Sequence, residues 1–335
     1  MGRFDPPFHY SGEMVTLVSE ISEAVGAIAA LEREARDNGP AQDDSLKTIC
    51  AALAFGSDAP ALDQVAGILE GKQTDCAPKT VREVMGLRDA YGGLQNLYPY
   101  RIKDMLEAHR LLMDGLSDTC GRFRTGPAQV LCGEAPSICS APPAVFVEEE
   151  IAGLLEWARE DKTHALIKSG VFYYAFGAIR PFADGNGRLG RMWLRRLLTE
   201  WRPVFAWLPI EAKILEHRDE HDHVLSKAYK NFCADPVILF LLRIIRDALT
   251  EFVESVETAL GTGRSQTGRL LAAMGDDALS GSELMQRLGL KSRAAFRKYH
   301  LLPALEAGTI EMTLPDKPNS RNQKYRRSRR TKPAQ

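Results

Sequence analysis

The sequence has no apolar run long enough to cross a bilayer; the longest, Val237 to Ile245, is short and broken by Arg243. It also has almost no net charge. Lys and Arg number 43 against 44 Asp and Glu, leaving −1 over 335 residues, so no global field draws the chain to nucleic acid or a membrane. Cysteine is sparse: the six, at 50, 76, 120, 132, 139 and 233, make no Cys-x-x-Cys pair. Cys132 and Cys139 bracket a Gly/Pro-containing loop, where metal ligation is the minor reading. Met1-Gly-Arg-Phe-Asp-Pro does not read as a signal peptide, and Pro6 does not fit a myristoylation site. A cytoplasmic protein with reduced thiols is therefore expected. His217, His221 and His223 offer helical i, i+4 spacing, but no Glu follows His217 and no third ligand is apparent. A solvated or packed helix face is the simpler reading.

What the sequence does have is helical periodicity and one dense motif. Met14, Leu17, Val18, Ile21, Val25, Ile28 and Leu31 recur at helical spacing, and Asp37-Asn38-Gly39-Pro40 ends that segment. Helices separated by short breaks continue from about 45 to 255. Among them lies Arg180-Pro-Phe-Ala-Asp184-Gly185-Asn186-Gly187-Arg188-Leu-Gly-Arg191, with apolar helical stretches on both sides. The pattern implies helix, tight loop, helix. Gly185 and Gly187 let backbone approach a ligand, and the second helix begins with unpaired N–H groups and a positive dipole end. Arg188 and Arg191 share a face near that helix start, where they can grip phosphate oxygens. Asp184 suits a divalent cation bridging the phosphates. A bare Gly-Asn-Gly would read as an ordinary turn with solvated arginines; the twelve residues together read as a polyphosphate cradle, most simply for a nucleotide.

These residues resemble the signature of the Fic (filamentation induced by cAMP) family, His-x-Phe-x-Asp/Glu-Gly-Asn-Gly-Arg-x-x-Arg, at every fixed position but the first. The resemblance implies an all-α, Fic-type helical bundle with a β-hairpin flap. It further implies that Asp184 binds Mg2+ and that Gly185, Asn186, Gly187, Arg188 and Arg191 hold the phosphates of ATP. The family's leading histidine takes the proton of a target hydroxyl that becomes adenylylated. Arg180 stands there, and a guanidinium has no lone pair to accept a proton. Gly121 to Gly126 with Pro142-Pro143 resemble the flap, expected from roughly 122 to 145. Arg124, Thr125 and Gly126 are then implied to help dock a protein target as an added strand; a plain surface hairpin is the bland alternative. His164 matches the start of the helix entering the motif and is expected to be structural.

Residues 45 to 80 resemble the segment that carries an inhibitory helix in part of the family. The family's inhibitory glutamate pairs with the second motif arginine. Here Gly56 aligns with that glutamate, with an offset of one or two residues open, and no acidic residue occurs between Ser45 and Ser57. Both base and brake are thus missing. Near Asp219 to Tyr229, where the family commonly contributes to the adenine side, His221 or His223 replaces the usual tyrosine.

Three regions are expected: an N-terminal helical part (1–110), the core with flap and motif (111–258) and a C-terminal part (259–335). In the last, Ser282 to Leu290 reads as a short helix, and Lys291 to Ala307 as a second with Phe296, Leu301, Leu302 and Leu305 inward. Segments from Gly308 and from Gln323 suggest a hairpin. That order is a winged helix-turn-helix. Lys291, Arg293, Arg297 and Lys298 on its second helix, with Lys324, Arg326, Arg327, Arg329, Arg330 and Lys332 beyond, favour a DNA backbone, although winged helices also dock proteins.

Two functions compete: a nucleotide-binding Fic pseudoenzyme that works with a protein target or regulatory partner, and an active transferase using a non-standard base or acceptor. In the second, Arg180 would stabilise phosphate charge. A homodimer is left open by the sequence.

Overall fold

A computed structural model describes residues 4–35, 43–56, 60–131, 138–260, 270–271, 273–275, 278–290, 293–306, 308–315, 320 and 323–328. It divides into two units, Met1–Leu249 and Thr250–Gln335. The first unit is helical. Its centre is α7 (Ala165–Ile179), whose Phe172, Tyr173, Phe176 and Ile179 are buried together with small Ser169 and Gly170, so no face is left polar. The ring of His164 caps it: Nδ1 accepts the Leu166 N–H at 3.3 Å. α8 (Asn186–Trp201) packs along α7, with Gly190 against Phe176 and Tyr173.

α8 is buried nearly throughout, including its arginines. Arg195 forms an ion pair with fully buried Glu211, which also accepts the Tyr91 hydroxyl at 2.9 Å. Arg195 also donates to Thr48 Oγ1 at 3.2 Å, and Arg196 Nε donates to Leu97 O at 2.7 Å. These bonds tie α8 to α2 (Asp43–Ala54), to α4 (Pro78–Gly93) and to α9 (Ile210–Glu216). The expected amphipathic helix is α1 (Gly12–Ala35), with Met14, Leu17, Ile21, Val25 and Ile28 buried. Among the described residues, no helix is long and apolar enough to cross a membrane.

The flap is narrower than expected. Its strands are β1 (Gln129–Leu131) and β2 (Ile138–Ser140), antiparallel with Val130 opposite Cys139. Cys132 lies outside the described residues.

The second unit has its own core, in which Leu270, Leu284, Phe296, Leu301 and Ile310 are buried. A three-stranded antiparallel sheet orders β3 (Leu279–Ser280), β5 (Lys324–Arg327) and β4 (Ile310–Met312), with β5 in the middle. Ser280 and Glu283 form a reciprocal capping box at the helix Gly281–Arg287. The following helical segment turns wide over Arg297–Leu301 as a π-helix. That extra residue per turn rotates the register, and Leu302, expected inward, is instead 39% exposed. Lys291, Arg329, Arg330 and Lys332 lie outside the described residues, as do the side-chain details of Lys298.

Candidate nucleotide site

The motif loop is fixed from several sides. α7 ends at Arg180 in the left-handed region (φ 46), and α8 begins after Gly185 (φ 78). A side chain at Gly185 would fail twice: the φ is unfavourable, and a Cβ would stand 2.7 Å from Met113 Sδ. Asn186 is buried, and its amide is engaged with one residue: Oδ1 accepts the Phe182 N–H at 2.9 Å, and Nδ2 donates to Phe182 O at 2.8 Å. The Asn186 side chain therefore closes the loop, leaving backbone to face a ligand. Phe182 is fully buried and stacks on His109 at 3.7 Å between ring centroids.

Arg124, expected on the docking flap, turns its side chain away from solvent. It is 5% exposed and points inward, where Nε donates to Arg180 O at 2.7 Å and the other nitrogens to Gly126 O, Pro142 O and Ile179 O. Burial, then the neighbouring Arg180 charge, pushes its pKa down. Arg124 thus rivets the flap base to the end of α7; only Thr125 and Gly126 of that trio are exposed, beside Pro143 and the 79% exposed Val145.

A cavity of about 310 Å³ opens beside the loop, lined in part by Arg180, Gly187, Arg191, His221 and Tyr229. Arg191 is 6% exposed, and its Nε finds no hydrogen-bond partner. Among the described residues no carboxylate lies within ion-pair distance of it. The Phe55 ring lies under its guanidinium at 3.6 Å. Phe55, rather than Gly56, therefore occupies the place opposite the second motif arginine; Gly56 lies toward Arg188, whose Nη2 is 4.0 Å from where a Cβ would be. Arg188 itself pairs with Glu83 of α4 at 3.0 Å. Asp184 is exposed, with Oδ1 accepting the Gly185 N–H at 2.7 Å and its carbonyl 3.0 Å from His109 Nε2.

His221, not His223, forms the far wall. Its Nε2 lies 2.8 Å from the Tyr173 hydroxyl and its Nδ1 2.8 Å from Asp222, whereas His223 is exposed. The His221 hydrogen bond holds the Asp222 carboxyl below its usual range, while burial pushes the Tyr173 hydroxyl up. Tyr229, stacked on Tyr174, has its pKa raised by burial. Phe55, Glu83 and His109 contact motif residues, and sequence reasoning missed all three. Phe55 was one position from the residue singled out. Glu83 and His109 carry no local signal, being a charge on an amphipathic helix and a lone helical histidine.

Residues 99–198 match the Fic/DOC family, and residues 265–328 match the C-terminal domain of the filamentation induced by cAMP protein Fic-like family. The crystal structure of a Fic family protein from Desulfovibrio desulfuricans G20 is 35% identical, with a TM-score of 0.72, and the alignment covers 98% of this chain and 100% of that one. Fic-1 (aa134–508) from C. elegans shares the fold at 18% identity and a TM-score of 0.57, over 73% of this chain and 76% of that one. A probable protein adenylyltransferase of Aquifex aeolicus (strain VF5) is 39% identical over 62 residues, which are 18% of this chain and 19% of that protein. Protein adenylyltransferase fic-1 of Caenorhabditis briggsae is 30% identical over 118 residues, 33% of this chain and 22% of that protein. The chain thus spans only about a fifth of the length of these curated relatives.

Proposed function

The chain belongs to the Fic family, and from that premise we propose that its cavity binds a nucleoside triphosphate, ATP first, and that AMP transfer to a protein hydroxyl is impaired for want of a base. One observation carries the binding half: Arg191 is a buried cation in the cavity wall with an unsatisfied Nε and no paired carboxylate among the described residues. A buried, incompletely satisfied charge is costly, and phosphate oxygens supply the missing acceptors. The N–H groups opening α8 and the Arg180 charge add to the attraction. The donor set fits magnesium, since the exposed Asp184 carboxylate offers hard oxygens on a fixed loop. Bound there, the ion would neutralise phosphate charge.

In adenylyl transfer the acceptor oxygen bonds to the α-phosphorus, pyrophosphate leaves, and the hydroxyl proton goes to a base. Arg180 stands at the base position, and a guanidinium offers no lone pair to accept that proton. The imidazole lining the cavity, His221, has both ring nitrogens engaged by Tyr173 and Asp222. A nucleotide-retaining, transfer-impaired protein follows, with the face beside Thr125 and Val145 available to a protein partner. The C-terminal unit is read as a winged helix in which exposed Arg293 and Arg297 meet a DNA backbone by charge alone; Arg326 is already paired with Glu311 at 2.6 Å.

Calorimetry with ATP and Mg2+ tests the reading. The parent should bind, and Arg188→Ala should weaken binding by at least about tenfold, the loss of a charge-assisted phosphate contact. Absence of binding by any nucleoside triphosphate would end the proposal.

A further inference from the structure

Outside the cavity, His109 is a buried titratable side chain that the proposed function leaves unused. It lies on α5 (Ile102–Met113), is 1% exposed, and sits 75 residues from Asp184 in sequence. Both of its ring nitrogens are engaged. The Gly121 N–H donates to Nδ1 at 2.9 Å, so Nδ1 must carry a lone pair. The ring proton then belongs to Nε2, which faces the Asp184 carbonyl at 3.0 Å and donates to it. The backbone donor thereby fixes a neutral ring in one tautomer.

The same ring meets the motif loop in two further ways. It lies parallel to Phe182, with 10° between planes, and Phe182 is the residue whose backbone Asn186 grips at both ends. Its Nε2 is 3.2 Å from where a Cβ at Gly185 would stand. A phenylalanine would serve for packing alone. The two hydrogen bonds are what a filler would not need.

We propose that His109 is a positioning residue: through Nε2–H it holds the Asp184 peptide so that the Asp184 carboxylate meets the metal of the metal–nucleotide group in a single geometry. The inference deepens the nucleotide reading and rests on it for its binding arm. It predicts an effect on the metal-dependent part of affinity, because the residue touches the loop that carries Asp184 and neither the cavity wall nor the base position.

Two measurements on the full chain test it. Nitrogen-15 spectra of histidine-labelled protein at pH 7 should show His109 neutral and protonated at Nε2; the Nδ1–H tautomer or a charged ring overturns the proposal. This arm needs no variant and no nucleotide, so it decides the clamp even if ATP fails to bind and the proposed function falls. In the second arm, ATP affinity is measured with Mg2+ and with EDTA. His109→Phe keeps the stacking volume and should lose about tenfold of the gain that Mg2+ gives, the scale of one lost hydrogen bond to a functional loop, with affinity in EDTA little changed. His109→Gln can still donate an amide N–H to the Asp184 carbonyl and should keep most of the gain. An unchanged Mg2+ gain in His109→Phe overturns the proposal, as does an equal loss in both variants. If His109→Phe does not fold, His109→Gln and the tautomer decide between them.

Discussion

Replacing Glu83 with Gln should tighten nucleotide binding. Glu83 Oε1 lies 3.0 Å from Arg188 Nη2, and the two side chains are 16% and 19% exposed. A phosphate that uses Arg188 must displace this carboxylate or share the guanidinium with it, and meets its negative charge in either case. At 3.0 Å and an effective dielectric near 20, the gross attraction is about 5 kcal/mol. Partial solvation and side-chain entropy reduce such pairs to about 1 kcal/mol net. Glu83→Gln keeps the shape and a neutral acceptor, so about 1 kcal/mol should return as affinity, roughly a fivefold lower Kd by calorimetry. The gain should disappear in an Arg188→Ala background, since the cycle isolates the pair. Equal or weaker binding by a folded Glu83→Gln protein would show that Arg188 does not compete between carboxylate and phosphate.

Arg124→Ala removes donors to four backbone carbonyls at the flap base. The cost should be about 3 kcal/mol, a fall of roughly 6–12 °C in the melting temperature of the unit; a shift under about 2 °C would contradict a riveting role. The His164 cap needs a neutral ring, and burial, then Arg202, lowers its pKa from 6.5. A base with a depressed folded pKa contributes stability that is complete above the unfolded value and lost as pH falls below it. The parent should therefore lose more thermal stability between pH 7 and pH 5 than His164→Asn, whose cap does not titrate; parallel curves would refute this.

The two central helices and the loop between them were legible because local signals agree there: an apolar run, flanking glycines and a start of helix. α1 was legible from spacing alone. What failed was side-chain direction. On a helix end, one residue turns a side chain by about 100°, so choosing Gly56 instead of Phe55 misses the ring under Arg191. Arg124 sits in a loop and carries charge, and both features suggest solvent; only the convergence of carbonyls from α7 and the flap explains its burial. The π-helical stretch at Arg297–Leu301 shifted Leu302 outward in the same way. Glu83 meets Arg188 across 105 residues, a contact made by packing rather than by any pattern in sequence.

The central claim is that a nucleotide pocket remains while the group that accepts the proton does not. Incubating the parent and Arg180→His proteins with α-labelled ATP and Mg2+, with a cell lysate as the source of targets, tests it most directly. The restored imidazole would stand beside the loop with a pKa near neutrality, and Phe55 offers no carboxylate to restrain Arg191. Arg180→His should transfer labelled AMP to itself or to a lysate protein, the parent should not, and adding Arg188→Ala should abolish the gain. Equal labelling by the parent, or a silent Arg180→His protein that still binds ATP, would contradict the account.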